Sequence, residues 1–274
     1  MSDAPIVDVQ DVHYAYADQP ALRGVSLTVR PGESVALLGR NGSGKTTLAK
    51  HLNGLLKPQR GRVIVGGLDT AQHDTGRLAA AVGYVFQSPD HQLFSPTVRE
   101  ELAFGPRCLG LPPAEIEDRV QTALAQFSLE PFAKTPPALL GFALRRLVAI
   151  ASVSTLRPAV LVLDEPFAGL DWISALHVIE RIHALTSERM AIVTITHQIR
   201  AVAECATRCV VLEAGQVLAD RATPDVLTDR ALLERTGLVP PPIVQLGAAL
   251  RGFSGRATLA SEFVDEYRRL RRTP

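Results

Sequence analysis

The sequence is poor in cysteine, and this shortage bears on the compartment in which the chain works. Only three cysteines are present, Cys108, Cys205 and Cys209. An odd and sparse set argues against a disulfide framework and indicates a reducing compartment. No cluster of Cys or His residues surrounds Cys205 and Cys209 in the sequence, so we expect both to pack as small buried hydrophobic side chains.

The chain also lacks an appreciable net charge and a long hydrophobic run, and we expect no signal peptide. A net charge of +1 gives no global field that would draw it onto nucleic acid or anionic lipid. No apolar run approaches the length of a bilayer span, and residues 1–5 lack the basic and apolar regions of a signal peptide. We therefore expect a cytoplasmic chain that could act at a membrane only through a separate membrane protein.

One local exception to the weak charge is the basic run Arg268-Arg269-Leu270-Arg271-Arg272. Such a run is most often the solvated end of a helix. The alternative is a contact with a partner or with lipid headgroups.

A glycine-rich stretch fits the phosphate-binding pattern G-x-x-x-x-G-K-[ST] at every required position: Gly39-Arg40-Asn41-Gly42-Ser43-Gly44-Lys45-Thr46-Thr47. A predicted strand, 34–38, precedes it, and a predicted helix, 47–52, follows it. Glycines let consecutive backbone N–H groups face a phosphate, and the helix directs its positive end at the same anion. Lys45 can reach the β- and γ-phosphates, and the Thr46 hydroxyl can bind Mg²⁺. A chance match arises in roughly one chain in a hundred, so the stretch predicts a nucleotide site.

Polar residues follow three further predicted strands. The strand 82–86 ends at Gln87, the apolar run 159–163 ends at Asp164-Glu165, and the strand 191–195 ends at Thr196-His197. The carboxyl ends of strands are where α/β sheets bind ligands. Asp164 is therefore a candidate Mg²⁺ partner, and Glu165 is a candidate base for water.

The rest of the chain supplies strands and helices of an α/β fold. Hydrophobic periodicity predicts strands at 6–16, 25–29 and 61–67, helices at 114–127 and 143–153, and a hairpin at 210–218. Tyr16 lies in the first strand, where packing within the sheet is favoured over stacking on a base. Three consecutive prolines at 240–242 predict a boundary, followed by two short helices at 243–250 and 259–270 that cannot bury a core alone.

The order of phosphate loop, glutamine loop, Asp-Glu strand and histidine resembles the ATP-binding cassette (ABC) ATPases over about residues 6–239. The resemblance implies an α/β P-loop NTPase cassette with a RecA-like mixed-sheet core, an antiparallel β subdomain and a helical subdomain at about 88–155. It assigns residues 1–239 to the cassette. It assigns residues 240–274 to a C-terminal helical extension that helps to hold a dimer together.

The resemblance also implies a role for each motif, with ATP and Mg²⁺ as cofactors. Residues 161–166 would be the Walker B motif, and residues 168–171, ending in Asp171, would be the D-loop. Catalysis would fall to Glu165, His197 and Gln87, of which His197 is the switch histidine. Mg²⁺ would bind Thr46, Gln87 and Asp164. Tyr16 would stack on adenine, in addition to the phosphate contacts of residues 39–47.

The run 85–98, with Ala103-Phe104-Gly105-Pro106 after it, is similar to the glutamine-loop region of energy-coupling factor (ECF) transporter ATPases. These ATPases serve importers of cobalt, nickel, biotin and other vitamins. The resemblance implies three partners: a second ATPase, a transmembrane scaffold subunit and a substrate-binding membrane subunit. It places the chain peripherally on the cytoplasmic face of the cell membrane, and the solute itself is not encoded in this chain.

The family signature, L-S-G-G-Q, is altered in this sequence. The equivalent residues are Leu140-Gly141-Phe142-Ala143-Leu144, or a register one residue earlier. In the family this motif grips the γ-phosphate of the ATP held by the opposite subunit. Without the serine, one hydrogen bond to a charged oxygen is lost, worth about 1.5–3 kcal/mol. Phe142 also adds bulk where glycine permits close approach. Trp172 stands where the family often has proline, and packing is its simplest role.

These departures lead to the hypothesis of an asymmetric heterodimer, in which a partner ATPase supplies an intact signature to this chain's site. Two alternatives remain. One is a non-transport ABC ATPase acting on DNA or ribosomes, although such proteins usually carry coiled-coil insertions, zinc motifs or a second cassette. The other is a regulatory or assembly subunit that binds ATP without hydrolysing it, against which the intact Glu165 and His197 argue.

Overall fold

Strands and helices alternate along the chain in this computed structural model, which describes residues 4–250 and 252–272. The strands are β1 (Val7–Tyr16), β2 (Gln19–Val29), β3 (Ser34–Leu38), β4 (Arg60–Val65), β5 (Leu68–Asp69), β6 (Val82–Val85), β7 (Val160–Asp164), β8 (Ala191–Ile195), β9 (Arg208–Glu213) and β10 (Gln216–Ala222). The α-helices are α1 (Lys45–Leu52), α2 (Thr75–Leu78), α3 (Val98–Cys108), α4 (Pro113–Gln126), α5 (Phe142–Ser154), α6 (Trp172–Ser187), α7 (Ile199–Cys205), α8 (Thr223–Leu227), α9 (Arg230–Thr236), α10 (Pro242–Ala249) and α11 (Ala260–Arg272).

A six-stranded sheet with the order β10-β9-β3-β8-β7-β6 forms the centre of the molecule. Its strands from β9 to β6 are parallel, and β10 is the antiparallel partner of β9 in the expected hairpin. Every residue of β3, β7 and β8 is buried, as expected for continuous apolar strands covered on both faces. Parallel pairing brings the carboxyl ends of β3, β6, β7 and β8 to one edge of the sheet.

A second sheet is antiparallel, with the order β2-β1-β4-β5, and it shares a hydrophobic core with the first. Leu48 and Leu52 of α1 lie in that core. The strand β2 begins at Gln19, earlier than the expected Val25, because it continues through Gly24 at a φ of 76° as it pairs with β1. A glycine within a polar segment concealed the first half of this strand.

Helices α3, α4 and α5 pack together beside the central sheet, with Leu102, Val120, Leu124 and Ile150 in their core. The helix α3 was not predicted, because Pro106 lies within it. Its start nevertheless carries a readable signal. The Thr97 side chain accepts a hydrogen bond from the Glu100 backbone amide and donates to the Glu100 carboxylate, so Thr97 is the N-cap of this helix.

The C-terminal helices follow the proline run as expected. Helix α9 ends at Thr236, with Gly237 as its C-cap at a left-handed φ of 64°, and α10 begins at Pro242. The rings of Phe253 and Phe263 stack with centroids 4.6 Å apart, which joins the segment before α11 to that helix. Within the two described ranges, no helix is both long and apolar enough to cross a membrane.

Both cysteines expected in the core are there. Cys205 and Cys209 are buried, and burial raises the pKa of the Cys205 thiol to about 12 and that of Cys209 to about 11. These thiols stay protonated at neutral pH and fill space as small apolar groups.

Candidate functional site

Four loops meet at the carboxyl edge of the central sheet, because the pairing register aligns the ends of their strands. Leu37 of β3 lies opposite Ile195 of β8, and Asp164 of β7 lies opposite the same residue. Val85 of β6 lies opposite Leu163 of β7. The glycine-rich loop, Gln87, the Asp164-Glu165 pair and the Thr196-His197 pair therefore come together, although they are far apart in sequence.

The glycine-rich loop has the backbone that its sequence predicts. Gly39, Gly42 and Gly44 have φ values of 139°, 79° and 105°, which side-chain-bearing residues rarely adopt. A Cβ atom on Gly39 would lie 2.2 Å from the carbonyl oxygen of Leu212, so only glycine fits there. Helix α1 begins at Lys45, with Gly44 as its N-cap, so the unpaired amides of its first turn belong to the loop. A backbone of this shape at a helix N-terminus is suited to bind an anion.

Lys45 points back over the loop that precedes it. Its Nζ atom donates to the carbonyl oxygens of Gly39 and Arg40, each at 2.9 Å. Burial lowers the pKa of Lys45, whereas Glu165 and Asp164 raise it. The two carboxylates thus favour the charged form of an amine that is already placed beside the candidate phosphate site.

Asp164 is buried and hydrogen-bonded to a residue that was not predicted. The Tyr84 hydroxyl donates to Asp164 Oδ2 at 2.8 Å, from the neighbouring strand β6. Burial raises the pKa of Asp164, the Tyr84 hydrogen bond lowers it, and Glu165 raises it. Burial and the same carboxylate also raise the pKa of Tyr84, so the phenol remains a donor. The second carboxylate oxygen is left for other partners.

Glu165 is held from two directions by the end of β8. Its Oε1 atom lies 2.9 Å from His197 Nδ1, and its Oε2 atom accepts a hydrogen bond of 3.0 Å from the Thr196 hydroxyl. Its backbone φ is 49°, a left-handed value that costs a non-glycine residue about 1–3 kcal/mol. The Glu165 side chain is mostly buried, and that of His197 is 66% exposed. A carboxylate that two donors orient in this way is suited to accept a proton from water.

The backbone around Gln87 is fixed to helix α5. The Arg146 guanidinium donates to the carbonyl oxygens of Phe86 and Gln87, at 3.0 and 2.6 Å. The Gln92 side chain accepts a hydrogen bond from the Phe86 amide and donates to the Ala149 carbonyl oxygen. The Gln87 side chain itself is exposed and faces the cleft.

A cleft of about 930 Å³ unites most of the residues predicted for the site. Its lining includes the following predicted residues: Tyr16, Gly39, Arg40, Asn41, Gly42, Gly44, Lys45, Thr46, Thr47, Gln87, Asp164, Glu165 and His197. Ser43 is a predicted loop residue outside this lining. Its buried hydroxyl has no hydrogen-bond partner among the described residues. The Tyr16 ring is 45% exposed at the edge of the cleft, where it packs edge-on against Tyr14.

The altered signature and the D-loop lie outside the cleft and contact each other. Gly141 is the N-cap of α5, which begins at Phe142. The Phe142 ring packs on Gly169, where an added Cβ would lie 3.1 Å from Cε1 of the ring. Asp171 caps α6 by accepting a hydrogen bond from the Ser174 amide at 2.8 Å. Gly141, Phe142, Ala143 and Leu144 are thus separate from this chain's own phosphate loop.

Comparison with known proteins identifies the family. The ABC transporter family model matches residues 22–168, more than half of the chain. This chain belongs to the ABC transporter ATPases. ATP binding and ATP hydrolysis are the activities of this family. The backbone of the glycine-rich loop is consistent with nucleotide binding.

Among the relatives of this chain are ATP-binding proteins of energy-coupling factor and cobalt importers. The energy-coupling factor transporter ATP-binding protein EcfA of Methanothermobacter thermautotrophicus is 39% identical over 249 residues, covering 90% of this chain and 80% of the relative. The cobalt import ATP-binding protein CbiO of Rhodobacter capsulatus is 42% identical over 261 residues, covering 93% of each. A putative ABC transporter ATP-binding protein of Caldanaerobacter subterraneus is longer, and this chain spans 43% of its length.

A solved structure agrees with this fold. The protein cbiO1 of Clostridium perfringens, described as part of the ABC transporter complex cbiONQ, superposes with a TM-score of 0.77 at 34% identity. The match covers 88% of this chain and 98% of that one. The ABC ATPase fold, with a mixed sheet, an antiparallel sheet and helices, is therefore that of this chain.

Several residues of this candidate site escaped sequence reasoning. Tyr84 and Thr196 hold the two carboxylates, and Gln92 holds the glutamine loop. Tyr84 gave one signal, since it is a polar-tipped aromatic within an otherwise apolar strand. Sequence reasoning gave Trp172 no specific role. The guanidinium carbon of Arg200 lies 3.5 Å from the centroid of the Trp172 ring, and this cation–π contact joins α6 to α7.

Proposed function

We propose that this chain is the ATP-hydrolysing subunit of an ECF-type importer and forms one half of an asymmetric ATPase heterodimer. The observation that carries the proposal is the juxtaposition of Lys45, Asp164 and the Glu165–His197 pair in one cleft, in a chain whose signature position holds Phe142. The cleft contains the groups that hydrolysis needs. Because its signature is altered, the chain would contribute poorly to the ATP site that is built on the phosphate loop of a partner ATPase.

Different residues of the cleft would bind the adenine, the phosphates and the Mg²⁺ ion. Tyr16 would stack on adenine, and residues 39–47 would bind the phosphates through backbone amides and Lys45. Thr46, Gln87 and Asp164 offer the oxygen atoms that Mg²⁺ prefers, and all three line the cleft. Bound Mg²⁺ would neutralise charge on the phosphate oxygens.

Glu165 would take the proton from the attacking water, since its carboxylate is fixed on both sides and faces the cleft. His197 is exposed, so it can contact the γ-phosphate as well as Glu165. General-base assistance of this kind contributes about 10²–10⁴-fold to a rate.

The opposite site of the dimer would bind ATP and turn it over poorly. Gly141 stands at the signature serine position and offers no hydroxyl, and Phe142 places a ring where a close approach of backbone is needed. The start of α5 at Phe142 favours the register Leu140-Gly141-Phe142-Ala143-Leu144 over the earlier one. Asp171, in the D-loop beside Phe142, would face the partner ATPase.

The partners would be a second ATPase with an intact signature, a transmembrane scaffold and a small substrate-binding membrane protein. We assign residues 1–239 to the cassette, with 88–155 as its helical subdomain. Residues 240–274 would be the extension that helps to join the two ATPases. The chain would sit peripherally on the cytoplasmic face of the membrane. The solute would be a vitamin or a transition-metal ion, and the name of the cobalt import relative makes a metal ion the first to test.

The experiment is Glu165→Gln in the assembled transporter, with ATP turnover, bound nucleotide and solute uptake measured together. We expect turnover to fall by at least about 100-fold, because the base is lost, while ATP stays bound and uptake stops. Asp18→Asn, an exposed acid-to-amide change in the turn between β1 and β2, is the matched control. Full turnover in the Glu165→Gln complex would show that Glu165 is not the base.

A second candidate function is favoured by the altered signature alone. The chain would then be a subunit that binds ATP and stabilises the complex without hydrolysing it. Single-turnover hydrolysis with the partner's own base inactivated separates the two functions. Release of phosphate from this chain's site supports hydrolysis, and ATP that stays intact supports the assembly role.

A further inference from the structure

Arg146 is a fully buried arginine within the first turns of α5, close after the altered signature. It has no solvent-exposed surface. Its Nη1 atom donates to the Phe86 carbonyl oxygen at 3.0 Å, and its Nη2 atom donates to that of Gln87 at 2.6 Å. The planar guanidinium thus binds two consecutive carbonyl groups. It fixes the orientation of the backbone from which the Gln87 side chain enters the cleft.

The positive charge of Arg146 interacts with the two carboxylates of the candidate nucleotide site. Burial lowers the pKa of the guanidinium, whereas Asp164 and Glu165 raise it. None of the hydrogen bonds of Arg146 is to either carboxylate; they are to the loop backbone. The cation is therefore retained in a buried position by the same acids that the proposed mechanism uses.

Gln92 gives the loop a second attachment to the same helix. Its Oε1 atom accepts a hydrogen bond of 3.1 Å from the Phe86 amide, and its Nε2 atom donates to the Ala149 carbonyl oxygen at 3.2 Å. Arg146 and Ala149 both belong to α5. The glutamine loop and the helix are thus joined at two points, so a movement of one is transmitted to the other.

Phe142 connects this arrangement to the altered signature. Its ring lies 5.4 Å from the Arg146 guanidinium carbon, within cation–π range. The ring also packs on Gly169 in the D-loop. A glycine at position 142 would provide neither contact. The aromatic residue that weakens this signature towards a partner's ATP therefore supports the arginine behind this chain's own glutamine loop.

We propose that Arg146 is a positioning residue for Gln87, and that Phe142 supports it from the altered signature. Arg146 would act on hydrolysis through the Gln87 backbone, without touching ATP or Mg²⁺. The substituted signature would thereby serve this chain's own site. This inference rests on the proposed function, because it requires that Gln87 acts on Mg²⁺ and ATP.

The test compares Arg146→Lys with Arg119→Lys in the full chain. Arg119 is a matched control, since its Nη1 atom also donates to two consecutive carbonyl groups, those of Thr155 and Leu156, at 2.9 and 3.1 Å. It lines a different cavity from the one that holds Gln87. Lysine keeps the charge at both positions but replaces the rigid planar guanidinium with a single ammonium group on a flexible chain.

The readout is the dissociation constant of ATP, measured once in EDTA and once with saturating MgCl₂, alongside thermal unfolding. For Arg146→Lys we expect the constant in EDTA to stay within about twofold of wild type. We expect the tightening caused by Mg²⁺ to shrink by about 10–100-fold, the usual effect of losing a group that orients a metal ligand. Arg119→Lys should keep the full Mg²⁺ effect.

Phe142→Leu is the second variant, because it keeps apolar volume and removes the ring face. We expect a smaller loss of the Mg²⁺ effect in the same direction. The role of Arg146 is overturned if Arg146→Lys matches Arg119→Lys, or if its ATP affinity falls equally in EDTA and in Mg²⁺. A wild-type chain that does not bind ATP would instead overturn the proposed function, and this inference with it.

Discussion

Asp164 is the residue whose burial has the clearest consequence for stability. Burial raises the pKa of its carboxyl group, the Tyr84 hydroxyl opposes that rise, and Glu165 adds to it. A pKa that is higher in the folded state adds stability that is complete below the unfolded pKa of about 3.9. That stability is lost as pH rises through the folded pKa. At neutral pH the charged Asp164 therefore lowers the free energy of unfolding of the ATP-free chain.

Asp164→Asn should remove that cost, since the amide carries no charge and its oxygen can still accept from Tyr84. We expect the free energy of unfolding at pH 7 to rise by more than the roughly 0.5 kcal/mol typical of surface changes. The gain should shrink as pH falls towards 4. Urea unfolding at several pH values measures it, with the exposed Asp18→Asn as control. A variant less stable than wild type at pH 7 would contradict this account.

At this scale, position along the chain predicted some residues of the candidate site and missed others that contact them. Asp164, Glu165 and His197 could be picked out because each follows an apolar strand, and parallel strands end at one edge. Tyr84 and Thr196 hold the same carboxylates, but their contacts depend on which strands are neighbours and in what register. The periodicity of a sequence does not predict which strands are neighbours in a sheet or in what register they pair.

At the scale of elements, the glycine-rich loop depends on one close approach between segments. Gly39 lies against the Leu212 carbonyl oxygen of β9, where an added Cβ would be 2.2 Å away. The loop and the strand β9 therefore fix each other's position. The pattern of the motif required a glycine here, and the packing against β9 gives the reason.

Gly39→Ala should weaken ATP binding by at least about tenfold, or 1.4 kcal/mol, because the loop must shift. Gly67→Ala is the matched control: Gly67 also has a positive φ, of 80°, but an added Cβ would meet nothing within 4 Å. Both variants carry backbone strain, and only the first displaces the loop. ATP titration of the two proteins measures the difference. Equal ATP affinity in both would contradict the role given to this contact.

The elements that the sequence predicted well were short apolar runs bounded by polar or turn residues, such as β3, β7 and β8. Those it missed carried an interrupting residue. Pro106 concealed α3, and Gly24 concealed the start of β2, although tertiary packing accommodates both. Thr97 and Glu100, which form the N-terminal cap of α3, are the local sequence signal that favours a helix here in spite of Pro106.

For the whole molecule, the proposal is that this chain contains one complete half of an ATP site and one defective half. The cleft with Lys45 and Glu165 would be the complete half. The start of α5, with Gly141 and Phe142, would be the defective one. On this proposal, a working site needs a second ATPase to face the cleft. The sequence suggested this arrangement only through the family resemblance, because a missing serine has no meaning without the motif.

Restoring the signature provides a control for that proposal. The variant Gly141→Ser, Phe142→Gly, Ala143→Gly, Leu144→Gln should allow two copies of this chain to complete each other's sites. The serine would also cap α5, where Gly141 offers no side chain. The restored chain should therefore turn over ATP faster than the native chain when each is assayed alone, even though the loss of the Phe142 ring reduces the Mg²⁺ effect on its ATP affinity.

The measurement that tests the central claim most directly is steady-state ATP turnover of the native chain, alone and mixed with its partner ATPase. We predict near-background turnover for the chain alone, strong turnover for the pair, and loss of the added turnover by Glu165→Gln in this chain. Turnover by the isolated native chain at a rate comparable to the pair would contradict the asymmetric heterodimer.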